Sequence, residues 1–250
     1  MGTRFLDELE YVLNKYGLAQ DEICIVGSSI LAHYGIRENH DLDFALDPKA
    51  RERILERYSE QIEVLPSGTI NFSANIQSLL GRYKKIGLLD EELFDDTYAT
   101  DMDGYRVAKI EVEIAQKMER NYEKDRRDLE KIGNDYSRIP GFDNRLFEQL
   151  KRKRKAVIFG AGKNAVLAYH YYWTRFELLC YVDNNEKLWG DEINGLKICS
   201  PDILKHTDAI IIVSSSRYAD EIKKDIYKKF GKRKVLSFCM KEELSIVGGM

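Results

Sequence analysis

Cysteine and histidine are scarce in this chain, with four of each in 250 residues. Cys24, Cys180, Cys199 and Cys239 stand singly beside strand-like apolar residues, and neither they nor the histidines fall at metal-ligand spacing. That speaks against a zinc site and makes reduced core thiols the expectation. No apolar run is long enough to cross a bilayer, and no charged-then-apolar leader opens the chain, so a cytoplasmic protein without a membrane span is expected. An excess of one charge is also missing: 39 Lys and Arg face 42 Asp and Glu, for a net charge of −3. Phosphate-dominated binding normally leaves a basic domain or stripe, so this balance argues against nucleic acid and for small-molecule partners. The basic run 151–155 directly precedes a strand and reads as a solvated linker.

What is present is a compact constellation: Val26-Gly27-Ser28, twelve further residues, then Asp41-Leu42-Asp43-Phe44. Ile23 to Val26 reads as a short buried strand, Ser29 to Tyr34 as one or two helical turns, and Leu42 to Leu46 as a second strand. Period-2 geometry puts Asp41 and Asp43 on one face. Two carboxylates side by side repel unless a cation lies between them. A hard divalent ion such as Mg²⁺ is held by one or two carboxylates plus substrate phosphates, so the pair reads as a metal clamp for a nucleoside triphosphate. Gly27 lets the backbone approach the phosphates, while Ser28 and the following N–H groups supply donors.

These residues match the signature of the DNA polymerase β type nucleotidyltransferases, in which an apolar residue, Gly and Gly or Ser are followed by Asp, apolar, acid, apolar. The run Lys117-Met118-Glu119-Arg120 to Lys124-Asp125-Arg126-Arg127-Asp128-Leu129 resembles a helical element that follows the sheet in small-substrate members of that family. By that resemblance Lys117, with Lys124 beside it, faces the nucleotide. The alternative is a helix laced by its own salt bridges. Relatives usually carry a third acid on the next strand. Here Gln61 to Leu65 followed by Thr69 to Phe72 offers Glu63, with Glu111 and Glu113 as substitutes.

Around this core, Phe5 to Tyr16 reads as an amphipathic helix, Ile110 to Ile132 as one or two helices, and Asp103-Gly104 as a tight hairpin turn. A domain boundary is expected near Arg145, dividing residues 1–145 from 146–250.

From Ala156 strands and helices alternate: strands at Ala156 to Phe159, Leu178 to Val182, Ala209 to Val213 and Val235 to Phe238, with helices at Ala165 to Arg175 and Tyr218 to Phe230. This predicts a small doubly wound parallel sheet. Gly160-Ala161-Gly162-Lys163-Asn164-Ala165 has the G-x-G-x-x-A form, with Asp183 about twenty residues on. In a dinucleotide fingerprint Gly160 makes the turn, Gly162 admits a pyrophosphate, Ala165 lets the helix pack closely and Asp183 accepts from a ribose hydroxyl. Val182-Asp183-Asn184-Asn185, Gly190, Asn194-Gly195, Ser200-Pro201-Asp202 and Ser214-Ser215-Ser216 resemble the Rossmann-like module of bacterial surface-polysaccharide proteins. No Tyr-x-x-x-Lys pair follows at an epimerase's position.

The expectation is therefore an α+β, polymerase β-like nucleotidyltransferase domain followed by an α/β Rossmann-like domain. The first would move a nucleoside monophosphate from an NTP to a small acceptor with Mg²⁺, and the second would bind NAD(P) or a nucleotide-sugar. By the second resemblance the pathway concerns surface polysaccharide or sugar phosphates. Two alternatives stand beside it: a catalytically degenerate nucleotide-binding or regulatory protein, and an NAD(P)-dependent oxidoreductase centred on the second domain.

Overall fold

The computed structural model describes residues 3–215 and 218–238, so Ser216 and Cys239 lie outside the described residues. The chain forms two compact units that divide between Arg152 and Lys153. The division falls seven residues past Arg145 because a short helix at 144–150 packs on the first unit's helices.

In the first unit α1 (Thr3–Tyr16) precedes β1 (Ile23–Val26), α2 (Ser28–His33), β2 (Leu42–Leu46) and α3 (Pro48–Tyr58). Then come β3 (Glu63–Val64), β4 (Ile70–Asn71), β5 (Ile76–Ser78), β6 (Ala99–Met102), β7 (Tyr105–Ala108), α4 (Ile110–Arg120), α5 (Glu123–Ile132) and α6 (Asn144–Leu150). The stripe of α1 is Phe5, Leu9, Val12, Leu13 and Tyr16, all buried. Helix α3 begins where Asp47 accepts from the N–H groups of Lys49 and Ala50 and Pro48 takes the first helical position. The positive φ angles of Asp103 and Gly104 close the β6–β7 hairpin. Asn121, at φ 52°, separates α4 from α5.

Among the described residues these strands make one seven-stranded mixed sheet in the order β3-β4-β5-β2-β1-β7-β6. Strand β2 runs antiparallel to β1 and parallel to β5. That last pairing is not local in sequence, since the β3–β4 hairpin is inserted between the two strands.

The second unit contains β8 (Arg154–Phe159), α7 (Lys163–Tyr172), β9 (Phe176–Val182), β10 (Glu192–Ile193), β11 (Leu196–Cys199), β12 (Ile210–Val213), α8 (Ala219–Phe230) and β13 (Val235–Ser237). Its sheet order is β10-β11-β9-β8-β12-β13, parallel throughout except for the β10 edge. Alternate residues of β8 feed different cores. Ala156 and Ile158 pack with Ala165, Ala168 and Tyr172 of α7, whereas Val157 and Phe159 pack with Ala219 and Ile226 of α8. Helices therefore cover both faces, which is why β8 and β12 read as continuous apolar runs. Among the described residues no helix is long and apolar enough to cross a membrane.

Candidate functional site

The turn after β1 brings the aspartate pair and the Gly-Ser step together. Val26 pairs with Asp43 across the β1–β2 ladder, and Gly27, at φ 74°, turns the chain into α2 directly beside it. A Cβ on Gly27 would stand 2.9 Å from Asp43 Oδ2, so both the backbone angle and the space require glycine. Ser28 Oγ donates to Asp41 Oδ1 at 3.2 Å. Asn39 Nδ2 donates to the Asp41 carbonyl at 3.1 Å and to Ser29 Oγ at 3.2 Å, which pins the segment entering β2.

Asp43 is mostly buried, and its carboxyl is pushed up from 3.8 to about 6. Burial is the main cause and the Asp41 charge the next, while Arg82 and Lys124 pull back only in part. The pair is thus short of positive charge. The two carboxylates supply hard oxygen donors on either side of the Gly27-Ser28 turn, and Asp41 and Asp43 are the residues that would hold a divalent ion.

Among the described residues no third carboxylate completes a metal-holding group with them, although the Glu113 charge also reaches Asp43. Glu63 is exposed on the edge strand β3 and accepts from Asn71 Nδ2 at 2.6 Å, with β4 and β5 between it and Asp43. The residue beside Asp43 on the adjoining strand is Gln77. Glu111 is buried and accepts from the backbone N–H of Asp143. Glu113 is fully buried, bound by Arg82 Nη2 at 2.9 Å, Tyr83 OH at 3.0 Å and Lys117 Nζ at 3.2 Å. Among the described residues no group of three or more His, Cys, Asp or Glu could hold a metal ion.

Lys117 sits inside the protein, only 3% exposed. Its ammonium lies 2.9 Å from Asp128, 3.2 Å from Glu113 and 3.4 Å from Asp125. Arg120 closes on Asp125 and Arg37 on Asp128 at 3.5 Å, so this charged run is an internal lock joining α4 to α5. Burial would raise the Glu113 and Asp125 carboxyls, but Arg82 and Lys117 outweigh it for the first and Arg120 for the second, and both titrate low. Lys117 is thus engaged by buried carboxylates and does not lie on a solvated salt-bridged face. Lys124 is exposed, and its charge reaches Asp43.

One residue the sequence did not single out is Arg82. Its Nη2 lies 3.7 Å from where a Gly27 Cβ would be, its charge acts on Asp43, and its buried Nε has no hydrogen-bond partner. Glu113 holds it in place. Arg82, rather than Lys117, is the buried cation that borders the aspartate pair.

In the second unit Gly160 follows β8 at φ 101°, and its N–H donates to the Val182 carbonyl at 2.7 Å. A Cβ there would come 2.5 Å from Ser214 Oγ, which itself donates to the Phe159 carbonyl at 3.0 Å. Gly162 caps α7 with open space around it, and Ala165 is fully buried. Asp183 accepts from the Ala161 N–H through Oδ2 and from the Asn185 N–H through Oδ1, both at 2.8 Å. Its carboxylate therefore ties the glycine turn to the loop after β9. The ends of β8 and β12 flank the point where strand order reverses, the usual ligand crevice of an open α/β sheet.

The second unit is Rossmann-like. Residues 152–236 match the family model described as C2185-like, N-terminal. No curated protein matches the chain. Among solved structures, UDP-D-quinovosamine 4-dehydrogenase from Vibrio fischeri is 19% identical at a TM-score of 0.32, covering 38% of this chain and 86% of its own. RSP, a Rex-family repressor, is 16% identical at a TM-score of 0.32, covering 50% of this chain and 72% of its own. The complex of RSP with β-NAD⁺ and operator DNA is 16% identical at the same score, over 81% and 91%.

Proposed function

We propose that this is a nucleotide-binding protein in which the first unit holds a Mg²⁺–NTP at Asp41 and Asp43 and transfers its nucleoside monophosphate to a small acceptor. The observation that carries this reading is the pair of neighbouring, under-neutralised carboxylates against Gly27 and Ser28. In the reaction an acceptor oxygen bonds to the α-phosphorus, the bond to pyrophosphate breaks, and the acceptor proton passes to solvent. Bound Mg²⁺ would neutralise phosphate charge. Asp41 and Asp43 orient the triphosphate end, Ser28 fixes Asp41, and Arg82 offsets charge on the departing pyrophosphate.

A second reading, a catalytically degenerate nucleotide-binding or regulatory unit, is favoured by one observation: Gln77 occupies the strand position beside Asp43 where an activating carboxylate would stand. An amide cannot take the acceptor proton. Mg²⁺-dependent NTP binding without pyrophosphate release for any acceptor would select this reading.

The raised Asp43 carboxyl sets a pH dependence. Metal binding requires the ionised form, so protons compete below pH about 6 and Mg²⁺–NTP affinity falls as the pH drops through that value. Calorimetry between pH 5 and 8 in two buffers of different ionisation heat should show proton release that disappears at pH 8. A flat profile would contradict the assignment.

For the second unit we propose a nucleotide, either NAD(P) or a nucleotide-sugar, seated over the Gly160 to Ala165 turn with Asp183 beside it. Gly162 offers a clean test because the space around it is open. Gly162→Val should leave the melting temperature within a few degrees of wild type and abolish binding of that ligand, read by calorimetry on the full chain. Undiminished binding by the variant would refute the turn as a phosphate seat. NAD⁺ binding accompanied by hydride transfer would instead promote the oxidoreductase alternative.

A further inference from the structure

The near-neutral total charge hides a division between the two units. Residues 1–152 carry 22 Lys and Arg against 30 Asp and Glu, whereas residues 153–250 carry 17 against 12. The second unit is therefore basic, and its cations gather at one end. Strands β9, β8, β12 and β13 run parallel, so all four begin at the same edge of the sheet, opposite the end that carries the Gly160 turn. Lys153 and Lys155 flank the start of β8, Lys228 and Lys229 close α8, and Lys232 precedes β13. These lysines are exposed, and among the described residues none is in an ion pair. Glu177, in register with Lys155, and Asp208, just before β12, are the acids that oppose them.

The helix dipole accounts for Lys228 and Lys229, which sit in the last turn of α8. It does not reach Lys153 and Lys155, at the opening of a strand, nor Lys232, beyond Gly231. Arg233, by contrast, is used by the fold, since it donates to the carbonyls of Thr207 at 2.7 Å and Leu204 at 2.6 Å. An aromatic stands at the same edge. The turn from α7 into β9 leaves Trp173 54% exposed, and Arg175 in that turn is stacked 3.9 Å from the centre of the Tyr171 ring. A lone exposed ring is ordinary, but here it is set at one end of a row of unpaired cations.

We infer that this edge of the second unit binds single-stranded nucleic acid, the lysines following the phosphates and Trp173 stacking on a base. From the start of β9 to the start of β13, three strand spacings of about 4.8 Å span about 14 Å, enough for a few consecutive phosphates. Lysines with no carboxylate to displace supply the charge that sequence-independent phosphate binding needs. The exposed ring favours unstacked bases over a duplex, whose bases are turned inward. An anionic bilayer fits less well. Among the described residues Trp173 is the only large apolar side chain exposed in the turns that open β8, β9, β12 and β13, and an interfacial anchor needs an apolar face. The basic run 151–155 is then part of a binding edge, with Arg154 and Lys155 inside β8, and more than a solvated linker. The inference stands apart from both proposed nucleotide sites, because it uses no residue of the first unit and lies at the far end of the sheet from the Gly160 turn.

The test is fluorescence anisotropy of the full chain with labelled oligo-U and oligo-dT of about 12 nucleotides, over a series of salt concentrations. Binding is expected for at least one of them, with log affinity falling against log salt at a slope of about −2 to −3.5, as three to five neutralised phosphates require at about 0.7 each. Lys153→Gln and Lys232→Gln should each lower that slope by about 0.7. Trp173→Ala should weaken binding at least about fivefold and remove the quenching of tryptophan fluorescence that accompanies it. All three side chains are exposed, so the variants should melt within a few degrees of wild type. No binding by either oligomer at low salt, affinity that all three variants leave unchanged, equal affinity for a duplex of the same length, or tighter binding to phosphatidylglycerol vesicles would overturn the inference. Oligomer binding in a protein that never binds Mg²⁺–ATP would instead sink the nucleotide reading and leave this edge standing.

Discussion

Exchange of Asp43 for Asn is expected to make the metal-free protein more stable at pH 8 while removing its chemistry. Burial and the Asp41 charge raise the folded-state carboxyl from 3.8 to about 6, so the native protein prefers the protonated form. The stability that this group contributes is fully present below its unfolded pKa and is lost as the pH rises through about 6. Above that, ionised Asp43 costs on the order of 2 to 3 kcal/mol, since each tenfold change in proton affinity is worth about 1.36 kcal/mol. Asn keeps the shape and removes the charge. Urea denaturation with EDTA should show the gain at pH 8 and none at pH 4. The same variant should lose Mg²⁺-dependent pyrophosphate release by at least about a hundredfold. Loss of stability at pH 8 would show that Asp43 is a paired structural carboxylate.

Lys117→Met should act in the opposite direction. It leaves Glu113, Asp125 and Asp128 buried with one cation fewer, and breaking such a cluster typically costs about 3 to 5 kcal/mol. The midpoint of denaturation at pH 7 should fall accordingly, and NTP affinity measured well below the new melting temperature should change little. A stable variant that no longer binds NTP would restore Lys117 to the nucleotide side.

These two residues show where sequence reasoning reached and where it stopped. The short strands β1 and β2, the turn between them, helix α1 and the Asp103-Gly104 hairpin were legible because apolar periodicity and turn chemistry are local. The alternation of strands and helices after Arg154 was legible for the same reason, apart from the β10–β11 edge hairpin at Asn194-Gly195. The cross-strand neighbour of Asp43 was not. Strand β5 has three residues and pairs with β2 in parallel, so nothing near Asp43 in sequence announces Gln77, and Glu63 falls on the next strand in sequence but three strands away in space. Charge spacing on α4 and α5 could not tell an exposed salt-bridged face from an internal lock, because the i, i+4 pattern is the same in both. Arg82 was invisible for a related reason: its meaning comes from Gly27, Asp43 and Glu113, which lie far off along the chain.

The central claim is that Asp41 and Asp43 hold a metal-bound nucleoside triphosphate. A thermal-shift titration of the full chain with ATP, GTP, CTP and UTP, with and without Mg²⁺, tests it most directly. At one hundred times its Kd a ligand adds about 2.7 kcal/mol of stability. The account predicts such a shift for at least one NTP, only with Mg²⁺, and its loss in both Asp41→Asn and Asp43→Asn. Absence of any Mg²⁺-dependent shift in the wild type, or its persistence in both variants, would contradict the account.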